Sequence, residues 1–302
     1  MKTKKIVVLG SCNTDMVIKS DRLPVPGETI LGGEFFMNPG GKGANQAVAA
    51  ARLGGDVTFL TKTGNDLFGK QSLALYADEK LCTDYILSSK DTPSGVAMIS
   101  VDKHGENSII VASGANSTYT IEDLKAAEDV ICSADILLMQ LEIPIETVTY
   151  AARIAKQHGV KVVLNPAPAQ FLPEELLSNV SILIPNNTEA EIITGMKVTN
   201  AETAEKAAGI ICNKGIDTVI LTMGSYGAFI KSKDGCMAVP TQKVEAVDTT
   251  AAGDTFCGAL VVGLSEDMSL LEAVEFANKC SGISVTRVGA QASCPYRKEV
   301  RM

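Results

Sequence analysis

Late in the chain, the run Asp248-Thr249-Thr250-Ala251-Ala252-Gly253-Asp254-Thr255-Phe256-Cys257-Gly258 leads through small residues to an aspartate at the start of an expected helix. Small side chains at a helix N-terminus leave main-chain N–H groups open in one direction, an anion pocket of the kind used for phosphoryl groups. Asp254 falls in that first turn, where the helix dipole favours its ionised form. Alone it is equally a stabilising N-terminal charge, worth about 0.3–1 kcal/mol. Beside bare amides, a carboxylate suits in-line phosphoryl transfer: the amides hold charge on the moving group while the carboxylate orients a hydroxyl and takes its proton. An aspartate with a pKa of about 4 is a weak base. It suffices where bond-breaking to the leaving group runs ahead of attack.

A second stretch, Asn38-Pro39-Gly40-Gly41-Lys42-Gly43-Ala44-Asn45, precedes another helix. Consecutive glycines let a backbone approach a ligand closely, while Lys42 and Asn45 add a charge and an amide able to bond hydroxyls. It serves as well as a tight turn into a helix. It is not a phosphate loop of the Walker type, since Gly43 stands where Ser or Thr must follow the lysine, and no dinucleotide glycine fingerprint follows the first strand. A third spot, Asn186-Asn187-Thr188-Glu189, puts Asn186 and Glu189 on one side of a helix start. That suits a hydrated Mg2+, which uses few protein ligands, and equally a capped surface helix. Asn13 and Asp15 read as a polar cluster or as turn chemistry.

The 302 residues carry a net charge of −8 with 46% hydrophobic and 21% charged side chains, which describes a globule with a full core and lacks the basic footprint of a nucleic-acid binder. No apolar run reaches the roughly 18–20 residues of a membrane span, and Lys5–Gly10 reads as a first strand rather than a signal peptide. Eight cysteines without a Cys-x-x-Cys pair indicate buried thiols, neither a disulfide frame nor a zinc site. His104 and His158, the only histidines, lie at a turn and a helix end and leave little room for histidine chemistry.

The elements that position these residues alternate. Lys5–Gly10, Ile136–Leu141, Val160–Leu164, Ile182–Ile184 and Thr218–Thr222 read as strands. Helices are expected from Thr120 (capped by its side chain), over Ile145–His158, from Thr188, over Ala201–Lys214, from Gly253 and over Leu270–Val285, and a hairpin around Asp234-Gly235. This is a largely parallel α/β sheet with helices on both faces and ligands at the carboxyl ends of its strands. Two extended pairs, Met16–Lys19 with Thr29–Phe36 and Gly95–Val101 with Asn107–Ala112, break the rhythm and form an expected small separate sheet.

Taken together, these residues resemble the ribokinase-like family of carbohydrate and nucleoside kinases, end to end and most specifically at Gly40–Gly54 and Asp248–Gly258. The resemblance implies one α/β domain over residues 1–302, with a β-sheet lid in segments 13–37 and 94–113, and a homodimer joined through the lids. It implies sugar contacts at Asn13, Asp15, Gly41, Lys42, Asn45 and Glu142, with Asp254 as catalytic base and Ala251, Ala252 and Gly253 as the anion hole. Asn186 and Glu189 match the motif that places Mg2+ and phosphate; Thr222, Gly224 and Asn278 match nucleotide positions. An activating K+, held mostly by carbonyl oxygens beside the anion hole, is implied at Asp248, Thr250, Ser284, Arg287, Gly289 and Ser293, the last four matched by order alone.

The expectation is a cytoplasmic, ATP-dependent kinase of D-ribose acting at the 5-hydroxyl, with no nucleic-acid or membrane partner. Sister kinases of deoxyribose, fructose or a nucleoside are the nearest alternatives, and the polar set Asn13, Asp15, Lys42 and Asn45 suits a free sugar better than a base. A non-catalytic sugar-binding protein is the rival from another class, and the retained Asp254 argues against it.

Overall fold

The computed structural model describes residues 4–300. In chain order the first half comprises β1 (Lys5–Leu9), β2 (Asn13–Lys19), β3 (Glu34–Gly40), α1 (Lys42–Arg52), β4 (Asp56–Leu60), β5 (Lys62–Gly64), α2 (Leu67–Asp78), β6 (Leu87–Ser89), β7 (Gly95–Val101) and β8 (Asn107–Ala112). Then come α3 (Ile121–Lys125), α4 (Glu128–Cys132), β9 (Ile136–Met139), α5 (Ile145–Gln157), β10 (Lys161–Leu164), α6 (Glu174–Leu177), β11 (Ile182–Leu183), α7 (Asn187–Thr194) and α8 (Ala201–Cys212). The chain closes with β12 (Thr218–Thr222), β13 (Ala228–Ser232), β14 (Gly235–Val239), α9 (Ala252–Ser265) and α10 (Leu270–Ser284).

Eight strands form the main sheet in the order β14-β13-β12-β11-β10-β9-β1-β4. All neighbours are parallel except the two pairs made by β13. The inner strands β1, β9, β10, β11 and β12 are apolar and buried at their central positions because both faces are covered. Ile6 and Val8 of β1 pack toward Ala47 of α1 and Leu260 of α9, whereas Val7 and Leu9 join Ala152 of α5 and Ala207 of α8 in the opposite layer. The period-2 alternation of a strand thus serves two cores at once.

Two glycines set how closely the helices approach. A Cβ on Gly43 would lie 2.5 Å from main-chain atoms of Gly10 and Ser11, so α1 starts flush against the end of β1. A Cβ on Gly258 would lie 2.7 Å from the Gln46 carbonyl oxygen and 2.8 Å from Ala49 Cβ, which fixes the crossing of α9 over α1.

A second sheet, in the order β3-β2-β7-β8, stands apart from the main one. The expected strand over Thr29–Phe36 starts only at Glu34, because Gly32 and Gly33 have φ values of 98° and 112° that no extended strand accepts. Residues between Gly54 and Gly95, for which the sequence reading gives no elements, supply the edge strand β4, helix α2 and a two-stranded ladder of β5 and β6. The helix from Thr120 has the expected capping side chain, which accepts from Asp123 N–H at 3.2 Å, but it breaks into the short α3 and α4.

Gly43→Ala is expected to destabilise the fold by about 1–3 kcal/mol, because main chain rather than a movable side chain opposes the added methyl. A urea melt with a lowered midpoint and unchanged slope is the readout; an unchanged midpoint would show that β1 and α1 can separate freely.

Candidate active site

The site lies along the carboxyl ends of β1, β9, β10, β11 and β12, under the second sheet. Its floor begins at α1. Gly41 takes φ 88° as the N-cap and offers no side chain to close the helix. Glu142, just beyond β9, supplies the cap instead: its Oε2 accepts from Lys42 N–H at 2.9 Å and from Ser11 Oγ at 2.5 Å. Its other oxygen is left for a ligand. Burial opposes charge on Lys42, but the carboxylates of Asp254, Glu142 and Glu189 outweigh it and raise its pKa, so the ammonium persists.

Asp254 sits in the first turn of α9 and is 7% exposed. Its Oδ2 accepts from Asn45 Nδ2 and its Oδ1 from Gln46 Nε2, each at 2.9 Å. The N-cap of α9 is Ala251, with φ 57° and no capping side chain. The N–H groups of Ala251, Gly253 and Asp254 make no main-chain hydrogen bond, while that of Ala252 donates to Thr249 O at 3.2 Å. The open donors are therefore those of residues 251, 253 and 254, two of the expected trio with Asp254 in place of Ala252.

Asn13 and Asp15 extend from β2, on the inner face of the small sheet. Asn116 holds Asn13: its Nδ2 donates to Asn13 Oδ1 at 2.8 Å and to Cys12 O at 3.1 Å, and its Oδ1 accepts from Cys12 N–H at 2.9 Å. Gly40, opposite on β3, leaves the space that the Asp15 carboxylate fills, since a Cβ there would stand 2.2 Å from Asp15 Oδ2. Burial, with the carboxylates of Glu142 and Asp254, pushes Asp15 up to about 6 against the pull of Lys42.

Two adjoining cavities meet at Thr249 and Ala252. The inner one, about 200 Å³, is lined by Lys42, Asn186, Glu189, Thr222, Gly253 and Asp254. The outer one, about 590 Å³, is lined by Gly224, Tyr226, Val244 and Asn278, with Asn278 Nδ2 tied to Val239 O at 3.1 Å. Asn186 and Glu189 form a capping box: Glu189 accepts from Asn186 N–H at 2.8 Å and from its side-chain amide at 2.9 Å. With both carboxylate oxygens so held, the pair fits an Mg2+ that keeps its waters better than one bound directly.

Around Asp248 the geometry is mixed. Its carboxylate accepts from Thr250 N–H and Gly289 N–H, both at 2.9 Å, and these donors outweigh burial to lower its pKa. The hydroxyls of Ser284 and Ser293 instead meet one another at 2.9 Å in the core, and the Arg287 guanidinium turns away to Glu299 at 2.7 Å. From Ser284, Arg287 and Ser293 only carbonyl oxygens remain as donors. Neutral carbonyls beside one carboxylate match the oxygen chemistry of a weakly held monovalent cation.

Sequence reasoning passed over Gln46, Gln140, Asn165, Ser11 and Asn116. Gln46 alone carried a signal, as the neighbour of Asn45 at the start of α1.

An aspartate gripped by amides, an open helix start and a flanking cleft define a phosphoryl-transfer site on an α/β sheet. The model of the pfkB family of carbohydrate kinases matches residues 3–297, and the chain belongs to that family. A ribokinase of Haemophilus influenzae is 48% identical over 98% of this chain and 97% of its own, and a deoxyribokinase of Salmonella typhi 37% identical over 96% and 95%. The structure of Arabidopsis thaliana ribokinase complexed with ribose and ATP superposes with a TM-score of 0.92 at 33% identity, covering 99% of this chain and 97% of that one.

With its pKa pushed up to about 6, the Asp15 carboxyl is no longer a full hydrogen-bond acceptor below that point. KM for the sugar is expected to rise as pH drops from 7 to 5, and an Asp15→Asn variant to show a raised KM with no such rise. A wild-type KM that stays flat over this interval would contradict the assignment.

Proposed function

We propose that the protein transfers the γ-phosphoryl group of ATP to the 5-hydroxyl of D-ribose, giving D-ribose 5-phosphate and ADP. The observation that carries this is the set of groups converging on Asp254: a polar floor from Asn13, Asp15, Lys42, Asn45 and Glu142 on one side, and open N–H donors on the other. The likeness to ribokinases at 48% identity supports the choice of sugar. Asn45 Oδ1 is buried without a partner, an acceptor ready for a hydroxyl.

Asp15 and Asn13 hold the vicinal hydroxyls and Glu142 and Lys42 the ring side, leaving the 5-hydroxyl against Asp254. Nucleotide lies along the two joined cavities, its base near Asn278 and Gly224 and its phosphates past Thr222 toward α9. The bond from sugar oxygen to phosphorus forms as the bond to the ADP oxygen breaks, and Asp254 takes the hydroxyl proton. Open N–H groups at residues 251, 253 and 254, with the Lys42 ammonium, hold charge on the phosphoryl oxygens. Asn186 and Glu189 would hold Mg2+ through water, and that ion neutralises phosphate charge when bound. Asp248 with the carbonyls of Thr250, Ser284, Arg287, Gly289 and Ser293 would hold K+, next to the turn that shapes the anion pocket.

The small sheet supports a homodimer. On its outer face Met37, Met16, Met98 and Ile110 align in register across four strands, flanked by Phe35 and Ile18. Phe35 is 59% and Ile110 74% exposed, an apolar strip that a second copy would cover. A cytoplasmic setting accords with eight cysteines that are all free thiols.

Asp254→Asn is expected to lower kcat by about 10²–10⁴-fold while ribose Kd stays within a few-fold. Near-normal kcat would remove the base assignment. Coupled ADP release should favour ribose over deoxyribose, fructose and adenosine and rise with K+; turnover of fructose but not ribose would overturn the sugar. Ile110→Lys should shift sedimentation from dimer to monomer, and an unchanged mass would place the interface elsewhere.

A further inference from the structure

Gln46 is fully buried in the first turns of α1, and its side chain spends its hydrogen bonds in one direction. Its Nε2 donates to Asp254 Oδ1 at 2.9 Å and to Asn165 Oδ1 at 3.1 Å, and its Oε1 accepts from Gln140 Nε2 at 2.6 Å. The direction is imposed from outside. Asn165 Nδ2 donates to Ile184 O at 2.9 Å, and a main-chain carbonyl can only accept. Asn165 must therefore turn its oxygen toward Gln46, and Gln46 must turn its nitrogen toward Asn165 and Asp254. Gln140, also fully buried, closes the other side.

The row Ile184–Asn165–Gln46–Gln140 thus links the carboxyl ends of β11, β10 and β9, and hands Asp254 one donor of fixed polarity. Asn45 grips the other oxygen. Neither alone stops the carboxylate from rotating about its Cβ–Cγ bond; together they do.

We propose that Gln46 is a positioning residue for phosphoryl transfer, holding the Asp254 carboxylate turned toward the sugar hydroxyl. This rests on the reading of Asp254 as the base. A neutral amide suits the task, because it stabilises the carboxylate without a counter-charge that would remain paired to it through turnover. Other ionisable groups around Asp254 are Lys42 on α1, Asp15 on β2, Glu142 after β9, Glu189 on α7, Cys257 on α9 and Cys294. None of them replaces the donor from Gln46. Since Asp15 acts on sugar affinity, the base is read from kcat at saturating ribose and ATP.

The experiment compares wild type, Gln46→Glu and Gln46→Met, with Asp254→Asn alongside. Gln46→Glu sets a second carboxyl against Asp254, and Gln46→Met removes the donor at nearly constant volume. Both should move the acid limb of the kcat–pH profile upward, Glu by about one pH unit or more and Met by less. At pH 7, kcat should fall by about 10-fold or more in each, with ribose and ATP Kd within about 3-fold of wild type. A lower melting temperature with an unmoved acid limb would reduce Gln46 to a packing residue and overturn the proposal. Should Gln46→Glu fail to fold, Gln46→Met decides. If Asp254→Asn retains wild-type kcat, the base reading falls and this inference with it. If Asp254→Asn is inactive and both Gln46 profiles match wild type, only this inference falls.

Discussion

Asn45 and Asp254 lie 209 residues apart in sequence and share a buried hydrogen bond. That contact depends on the close crossing of α1 and α9, where a Cβ on Gly258 would stand 2.7 Å from the Gln46 carbonyl oxygen. Every other part of the site is referred to this crossing. On the proposed reading, the floor that meets the sugar starts α1, and the donors that meet the phosphoryl group start α9. A larger residue at the crossing would leave both helices folded and separate the two halves of the reaction.

The parallel sheet explains why the crossing falls where it does. Parallel strands end together on one edge, and each loop leaving that edge delivers one or two polar residues: Ser11 after β1, Gln140 and Glu142 after β9, Asn165 after β10, Asn186 after β11. Buried polar groups must find partners, so Ser11 bonds Glu142, Asn165 bonds the Ile184 carbonyl, and Gln140 and Asn165 both bond Gln46 of α1. The edge acquires a fixed polarity that no single loop could give itself. The small sheet then covers this edge, with inward-facing Asn13 and Asp15 on the same strand as outward-facing Met16 and Ile18.

Much of this was legible in the sequence where chemistry is local. The small residues of Asp248–Gly258 announce an uncapped helix start, and the unbroken apolar run at Ile6–Leu9 announces a strand covered on both sides. The β7–β8 hairpin follows from its alternation and its central turn. What stayed hidden depends on distant partners. Gln46 reads as one more polar residue on a helix until Asn165 and Gln140 are placed beside it. That the Ser284 and Ser293 hydroxyls bond each other in the core, leaving only their carbonyls free to face a cation, is likewise set by distant packing. The segment from Asp56 to Ser89 has mixed alternation and short elements, so neither helical nor strand period dominates, and its strands are defined by pairing, β4 with β1 and β5 with β6.

Helix α9 begins without any side chain to close it, which for an ordinary helix forfeits about 1 kcal/mol. On the function proposed above, the vacancy is filled by a cosubstrate rather than by a residue. A nucleotide's terminal oxygens accept the same N–H groups that a serine or aspartate would, so the bound polyphosphate completes the secondary structure it rests on. Resistance to heat therefore becomes a function of nucleotide level, through the mass-action link between occupancy and folding.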